Sequence, residues 1–308
     1  MPCYHKLKAW QLCSGEVVFA ERGAIARELE LPCGQCIGCR LKRSLSWTIR
    51  NVHESQVHPL SMFVTLTYGD DGYNPSLVYR DFQLFMKRLR RSVGPCRFFA
   101  VGEYGESDEL NRYVRTFSGL DTTSRRPHFH ALIYGQYFSD RAQIGSVDGK
   151  PLWRSPRLEA LWKHGHSSFG DVTFQSAAYC SRYCCDKVNG ERALDHYKRV
   201  DVATGELVDV VPEMAHMSLR PAIGVPWLAR YGADIVCARD GVVLNGKTYA
   251  LPRFYDRVVE SLVPDIHSDK EFDRYILSEK FAADLTPERM AAREIVAKAR
   301  ISTLQRKL

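Results

Sequence analysis

No stretch of this chain approaches the ~20 consecutive apolar residues that span a bilayer, and its N-terminus lacks the apolar core of a secretory signal. Membrane and exported proteins are thereby excluded as readings, and the expected compartment is a reducing cytosol. Internal repeats and low-complexity tracts are absent too, which removes solenoids and disordered linkers. Also missing are the paired Cys-x-x-Cys spacing of a zinc ribbon and the fourth ligand and flanking proline of a ferredoxin-type run. What is present is 308 residues with 45% apolar content, enough for one large or two modest domains with cores. Lys and Arg number 43 against 36 Asp and Glu, a net charge of +7 that suits a polyanionic partner. Arg40-Leu41-Lys42-Arg43 and Lys87-Arg88-Leu89-Arg90-Arg91 concentrate that charge, as solvated helix faces also do.

In a reducing compartment the ten cysteines are read as metal ligands or free thiols rather than disulfides. Cys33, Cys36 and Cys39 repeat at Cys-x-x-Cys-x-x-Cys, with Gly34 and Gly38 permitting turns that aim several sulfurs at one centre. Cys3 or Cys13 would supply the fourth thiolate of a tetrahedral structural Zn²⁺ site. The competing readings are reduced structural thiols and, less favoured, an iron–sulfur cluster. Cys180, Cys184 and Cys185 read as small buried hydrophobes.

Periodicity predicts a cysteine-rich leader, then a helix over 40–55 with Leu41, Leu45, Ile49 and Val52 on one stripe. Strands are expected at 62–68, 97–104 and 171–174, helices at 79–91 and 156–164, and a loop or hairpin over 106–125. Strands interleaved with helices but without βαβ regularity predict an α+β fold, a central antiparallel sheet flanked by helices. The expected division is a leader and helix at 1–58, a core at 59–195, and a C-terminal extension with a hairpin and helical tail at 196–308.

The residues richest in chemistry are His128 and His130, two apart in the apolar run Arg126-Pro127-His128-Phe129-His130-Ala131-Leu132-Ile133-Tyr134. On a strand both imidazoles share one face and form a chelate for a divalent metal; the alternative is a chance pair on a half-exposed strand. Downstream, a helix beginning near Gln175 or Ser176 spaces Tyr179, Tyr183 and Lys187 four apart, stacking two phenols and an ammonium on one face. A tyrosine stripe packed under a sheet beside a snorkelling lysine is the plainer reading.

Taken in order, the strand Phe63-Val64-Thr65-Leu66-Thr67, the His-hydrophobic-His strand and the Tyr-helix-Lys resemble the three motifs of HUH endonucleases, which initiate rolling-circle DNA replication. Pro32-Cys33-Gly34-Gln35-Cys36-Ile37-Gly38-Cys39-Arg40, Val101-Gly102-Glu103-Tyr104-Gly105-Glu106 and Arg220-Pro221-Ala222-Ile223-Gly224 narrow the resemblance to replication initiators of microviruses, gokushovirus branch. Pro221-Ala222-Ile223-Gly224 stands where that family usually has Pro-Gly-Ile-Gly. The resemblance implies a third metal ligand from the strand preceding the histidines, Glu103 or alternatively Glu106, and a bound Mg²⁺ or Mn²⁺, with zinc chemically feasible. It implies that Tyr179 or Tyr183 attacks a phosphodiester, aided by Lys187, giving a 5′-phosphotyrosyl link and a free 3′-hydroxyl. It also implies single-stranded and origin DNA as substrate, with helicase and polymerase supplied in the host bacterial cytoplasm. Two other classes stay open: a non-catalytic, zinc-stabilised single-stranded nucleic-acid-binding protein, and a hydrolytic metal nuclease.

Two motifs mislead. Gly241-Val242-Val243-Leu244-Asn245-Gly246-Lys247-Thr248 fits the phosphate-loop pattern, but a phosphate loop must open a helix. Here Tyr249-Ala250-Leu251-Pro252 follows, so a β-hairpin turning at Asn245-Gly246 is predicted, with no ATP site. His164-Gly165-His166 is expected at a helix end, where no strand fixes both rings on one face.

Overall fold

Strands buried along most of their length dominate the middle of the chain. The computed structural model describes residues 2–69, 74–105, 109–147, 149–183, 187–188, 190–237 and 240–302. From the N-terminus come β1 (Leu7–Leu12), β2 (Val17–Val18), β3 (Ile25–Leu31), α1 (Ile37–Gln56), β4 (Ser61–Tyr68), α2 (Tyr79–Val93), β5 (Arg97–Tyr104), α3 (Glu109–Ser118), β6 (Asp121–Thr122) and β7 (Pro127–Tyr134). Then follow β8 (Ala142–Val147), β9 (Lys150–Arg154), α4 (Pro156–Leu161), β10 (Gly165–Asp171), α5 (Phe174–Tyr183), α6 (Arg192–His196), β11 (Lys198–Val200), β12 (Leu207–Asp209) and β13 (Met214–Met217). The chain ends with α7 (Val225–Cys237), β14 (Val242–Leu244), β15 (Lys247–Tyr249), α8 (Arg253–Leu262), α9 (Pro264–Lys280) and α10 (Pro287–Ser302).

The chain divides into two compact units, one of residues 47–255 and one joining residues 1–46 to 256–307. The larger unit is built on a seven-stranded sheet in the order β13-β5-β7-β4-β10-β9-β8, and every pairing is antiparallel. The α+β expectation holds. Because side chains alternate, Met62, Val64, Leu66 and Tyr68 of β4 share a face with Phe129, Ala131 and Ile133 of β7 and with Phe169 of β10. That face is covered by Phe82, Phe85, Met86 and Leu89, the i, i+3, i+4, i+7 stripe of α2, and by Leu158 and Trp162. Each such buried side chain contributes roughly 1.5–3 kcal/mol of burial. On the opposite face, Phe63, Phe99, Val101 and Leu132 pack with Ala177, Tyr179 and Cys180 of α5 and with Ile223. Cys180 is thus the small buried hydrophobe expected, whereas Cys184 and Cys185 lie outside the described residues. In the smaller unit, β1 is paired antiparallel between β2 and β3, and Arg274 of α9 forms an ion pair with Asp256 of α8.

Four local expectations need correction. Residues 109–118 form a helix rather than a loop: Tyr113 and Phe117 are an i, i+4 ring pair with centroids 4.9 Å apart. Gly119 closes that helix, its N–H donating to the Arg115 carbonyl. The helix expected to reach His164 stops at Leu161. The strand expected at 171–174 instead occupies β10, earlier in the chain, because Thr173 caps α5. The Ser176 N–H donates to Thr173 Oγ1 and the Thr173 N–H to Ser176 Oγ, a reciprocal cap. Finally, α5 ends at Tyr183, residues 184–186 lie outside the described residues, and Lys187 is exposed and non-helical. Among the described residues the helix that carries Tyr179 therefore runs no further than Tyr183, and Lys187 belongs to no helix. The hairpin expectation is met: β14 and β15 pair across Asn245 and Gly246, at φ 49° and 73°, a two-residue turn with positive φ at both central positions.

Candidate functional site

The register of the central strands assembles the site. Glu103 of β5 lies opposite His128 of β7, which lies opposite Thr67 of β4, which in turn faces His166 of β10. In the next row inward on the same face, Val101, His130, Thr65 and Ser168 align. Polar side chains thus continue the sheet face whose other end is packed under α5. His128 Nε2 and His130 Nε2 lie 2.7 Å and 2.8 Å from the same atom, Glu103 Oε1, with the imidazole planes 86° apart. Glu103 and His130 are buried and His128 partly so.

Burial opposes charge on Glu103, yet hydrogen bonds from His128 and His130 hold its carboxyl below the ordinary glutamate value. Burial pushes the imidazole of His130 down, against the opposing pull of Glu103, which favours the neutral ring that ligates metals. His128 Nδ1 lies 3.2 Å from the Arg126 carbonyl and His130 Nδ1 3.0 Å from Thr65 Oγ1. A proton on His128 Nδ1, donated to that carbonyl, leaves the Nε2 lone pair facing a carboxylate oxygen, an arrangement that calls for a cation or proton between them. The second carboxylate oxygen, Oε2, is buried without a hydrogen-bond partner. Two imidazoles oriented through their other nitrogens plus a carboxylate fit a divalent ion. Glu106, the alternative ligand, lies outside the described residues.

Tyr179 projects from α5 toward this group, its hydroxyl 3.5 Å from His130 Nε2 and its ring edge-on to the imidazole. The helix is anchored beneath by Asn51 of α1, whose Nδ2 donates to Ser181 Oγ, while Tyr134 donates to Asn51 Oδ1. The phenol of Tyr183 lies outside the described side chains. Among the described residues, the cation beside Tyr179 is Arg182, its guanidinium carbon 5.7 Å from the ring centroid. A cleft of about 340 Å³ borders His130, lined also by Thr65, Lys150, Leu152, Gln175 and Ser176. Asn51, Thr65 and Arg182 were not singled out from the sequence as site residues. For Thr65 a signal existed, since it and Thr67 are polar positions within the apolar stretch Met62–Tyr68.

His164 and His166 separate as expected, though by a different local structure: a strand does begin at Gly165. His166 stands in β10 opposite Thr67, whereas His164 precedes the strand with its Nε2 3.6 Å from Asp81. In the smaller unit, Cys33, Cys36 and Cys39 converge with Cys3, while Cys13 is exposed and outside the group.

A family model described as replication-associated protein ORF2/G2P matches residues 61–188, the stretch that contains all of β4, β5, β7 and α5. The replication-associated protein VP4 of Bdellovibrio phage phiMH2K is 30% identical over 270 residues, covering 83% of this chain and 76% of that protein. The replication-associated protein ORF2 of Spiroplasma virus 4 is 27% identical over 290 residues, covering 84% of this chain and 81% of that protein. The replication-associated protein ORF4 of Chlamydia phage 1 is 26% identical over 254 residues, covering 79% of this chain and 56% of that protein. No solved structure matches. With this similarity running along most of its length, the chain belongs to the phage replication-associated proteins, as a replication initiator of the microvirus type.

Proposed function

We propose that this initiator nicks single-stranded origin DNA by attack of a tyrosine on the scissile phosphodiester, and later rejoins the unit-length strand. The observation that carries the reading is the convergence of Glu103, His128 and His130 with the hydroxyl of Tyr179 at 3.5 Å from His130 Nε2. Glu103, His128 and His130 would hold a divalent ion, Mg²⁺ or Mn²⁺ by the oxygen-rich chemistry of the substrate, with zinc feasible on the same donors. When bound, that ion supplies Lewis-acid polarisation of the phosphate.

The chain's own residues do the rest. Tyr179 contributes the nucleophilic oxygen, which forms the bond to phosphorus as the 3′-oxygen leaves as a hydroxyl. The bond energy is kept in a 5′-phosphotyrosyl ester. Arg182 beside the ring, and Lys187 if the chain beyond α5 brings it near, would favour phenolate character in a group that ordinarily ionises near pH 10. Tyr183, one helical turn on and about 6 Å along the axis, would act as the second nucleophile, cutting the regenerated origin while the first holds the old end. Lys and Arg would carry affinity through phosphate contacts, and the polar half of the sheet face beside the cleft would receive the strand. Unwinding and synthesis would fall to helicase and polymerase of the host, in whose cytoplasm the protein would act.

The deciding experiment incubates the full chain with a single-stranded origin oligonucleotide and Mn²⁺ and resolves a covalent adduct on a denaturing gel. Tyr179→Phe and Tyr183→Phe should each keep some adduct and lose circle closure; the double variant should form none. Because phenylalanine preserves the ring, a purely base-stacking protein would bind normally throughout and never form adduct. A hydrolytic nuclease would still cut as the double variant. Adduct from the double variant would place the nucleophile elsewhere.

A further inference from the structure

We propose that Cys3, Cys33, Cys36 and Cys39 hold a single zinc ion as a tetrathiolate, and that this ion ties the first residues of the chain to the start of α1. The four sulfurs lie within 4.8 Å of one another, with Cys3 Sγ 3.6 Å from Cys33 Sγ and 3.9 Å from Cys36 Sγ. A tetrahedron of sulfurs around zinc, with Zn–S near 2.3 Å, has edges of roughly 3.8 Å. A disulfide would need about 2.05 Å, and all four cysteines are free thiols. An iron–sulfur cube spreads its cysteine sulfurs around a body of several metal atoms, wider than this spacing allows. The geometry therefore selects one tetrahedral ion.

Backbone donors point at the sulfurs as they do at metal-bound thiolates. The Tyr4 N–H donates to Cys36 Sγ at 3.3 Å, the Cys33 N–H to Cys3 Sγ at 3.3 Å and the Cys36 N–H to Cys33 Sγ at 3.2 Å. Cys36 immediately precedes α1 and Cys39 lies in its first turn, which holds no acidic side chain, so the thiolates supply the negative charge that a helix N-terminus favours. Gly38 explains how Cys3 gets there: a Cβ at that position would sit 2.1 Å from the Pro2 carbonyl oxygen, so only glycine lets the N-terminal residues lie against the helix. Cys13, the other candidate for fourth ligand, is exposed and takes no part.

The test is metal analysis of the full chain purified without chelators, joined to cysteine-specific alkylation read by mass spectrometry. One zinc per chain is expected, with Cys3, Cys33, Cys36 and Cys39 protected from iodoacetamide until a strong chelator is added and Cys13 modified at once. Cys13→Ser should keep the zinc and Cys3→Ser should lose it. The alkylation pattern is read on the unaltered protein, so a poorly folding Cys3→Ser variant does not blunt the result. Protein refolded with Co²⁺ should show the intense thiolate charge-transfer absorption and visible bands of a tetrahedral tetrathiolate. Absence of zinc, one iron in its place, protection that includes Cys13, or cobalt bands lacking thiolate charge transfer would each overturn the proposal.

Discussion

Replacing Thr65 with valine isolates one hydrogen bond at the edge of the proposed metal site. Valine keeps the β-branched shape and the pleat of β4 while removing Oγ1, which lies 3.0 Å from His130 Nδ1. Partners of this kind fix the tautomer and ring orientation of a ligating histidine, and their loss typically costs 10–100-fold in metal affinity or activity, about 1.4–2.7 kcal/mol. Thr65 lies opposite His130 in the β4–β7 ladder, so the substitution acts on the imidazole without moving the strand. The expected outcome is a nicking reaction whose half-saturating Mn²⁺ concentration rises about 10-fold or more, with rate recovering at high Mn²⁺ and the thermal midpoint nearly unchanged. The assay titrates Mn²⁺ against adduct formation on a single-stranded oligonucleotide. An unchanged Mn²⁺ dependence would refute the reasoning, because it would mean that His130 either needs no orientation or ligates nothing.

Changing His128 or His130 to alanine should lower nicking at least 100-fold while DNA affinity by filter binding falls little, since phosphate contacts carry binding. Normal nicking by His130→Ala in Mn²⁺ would remove the metal site. Lys247→Ala should nick at the wild-type rate and ATP should show no saturable binding, because Lys247 sits in a hairpin strand rather than at a helix start; ATP binding lost in that variant would contradict this. Glu54 is buried, which disfavours its charge, but hydrogen bonds from His58, the Gly224 N–H and Arg97 hold its carboxyl below the ordinary value of 4.5. A depressed carboxyl stabilises the fold above the unfolded-state value and loses that contribution as pH falls through the folded-state value. Glu54→Gln should therefore cost about 3 kcal/mol at neutral pH, lowering the thermal midpoint by roughly 6–12 °C. The deficit should shrink in acid below pH 4.5, and a deficit independent of pH would argue against a charged Glu54.

Much of the larger unit was legible because its signals are local and periodic. The α2 stripe of Phe82, Phe85, Met86 and Leu89 is buried as its spacing dictates, and His128 and His130 share a face because a strand leaves no other choice. Asn245-Gly246 announced its turn. Less legible were elements whose identity depends on partners distant in sequence. Strand β13 pairs with β5 across more than a hundred residues, and nothing in Met214–Met217 alone says so. The second half of α1 buries Asn51, His53 and Glu54, polar residues whose partners, such as Ser181, Tyr255 and Arg97, come from elsewhere in the chain. Thr173 reads as strand because its propensity is extended, while its capping role depends on Ser176 three residues on. At the site, Glu103 could be ranked over Glu106 by resemblance but not by spacing, since only the β5–β7 register puts Glu103 opposite His128.

That register makes assembly of the paired imidazoles all-or-none. Strand β7 lies inside the sheet, held by β5 on one side and β4 on the other, and its side chains alternate between the face that carries His128, His130, Leu132 and Tyr134 and the layer containing Phe82 and Phe85. A slip of one residue against either neighbour would turn both rings into that apolar layer together, exposing Phe129 in their place. No intermediate arrangement presents a single imidazole. The backbone of the pair is thus held by the two ladders rather than by any ion, so under the proposed function a chelator should abolish nicking while the amides of His128 to Ile133 remain among the slowest in the molecule to exchange with solvent.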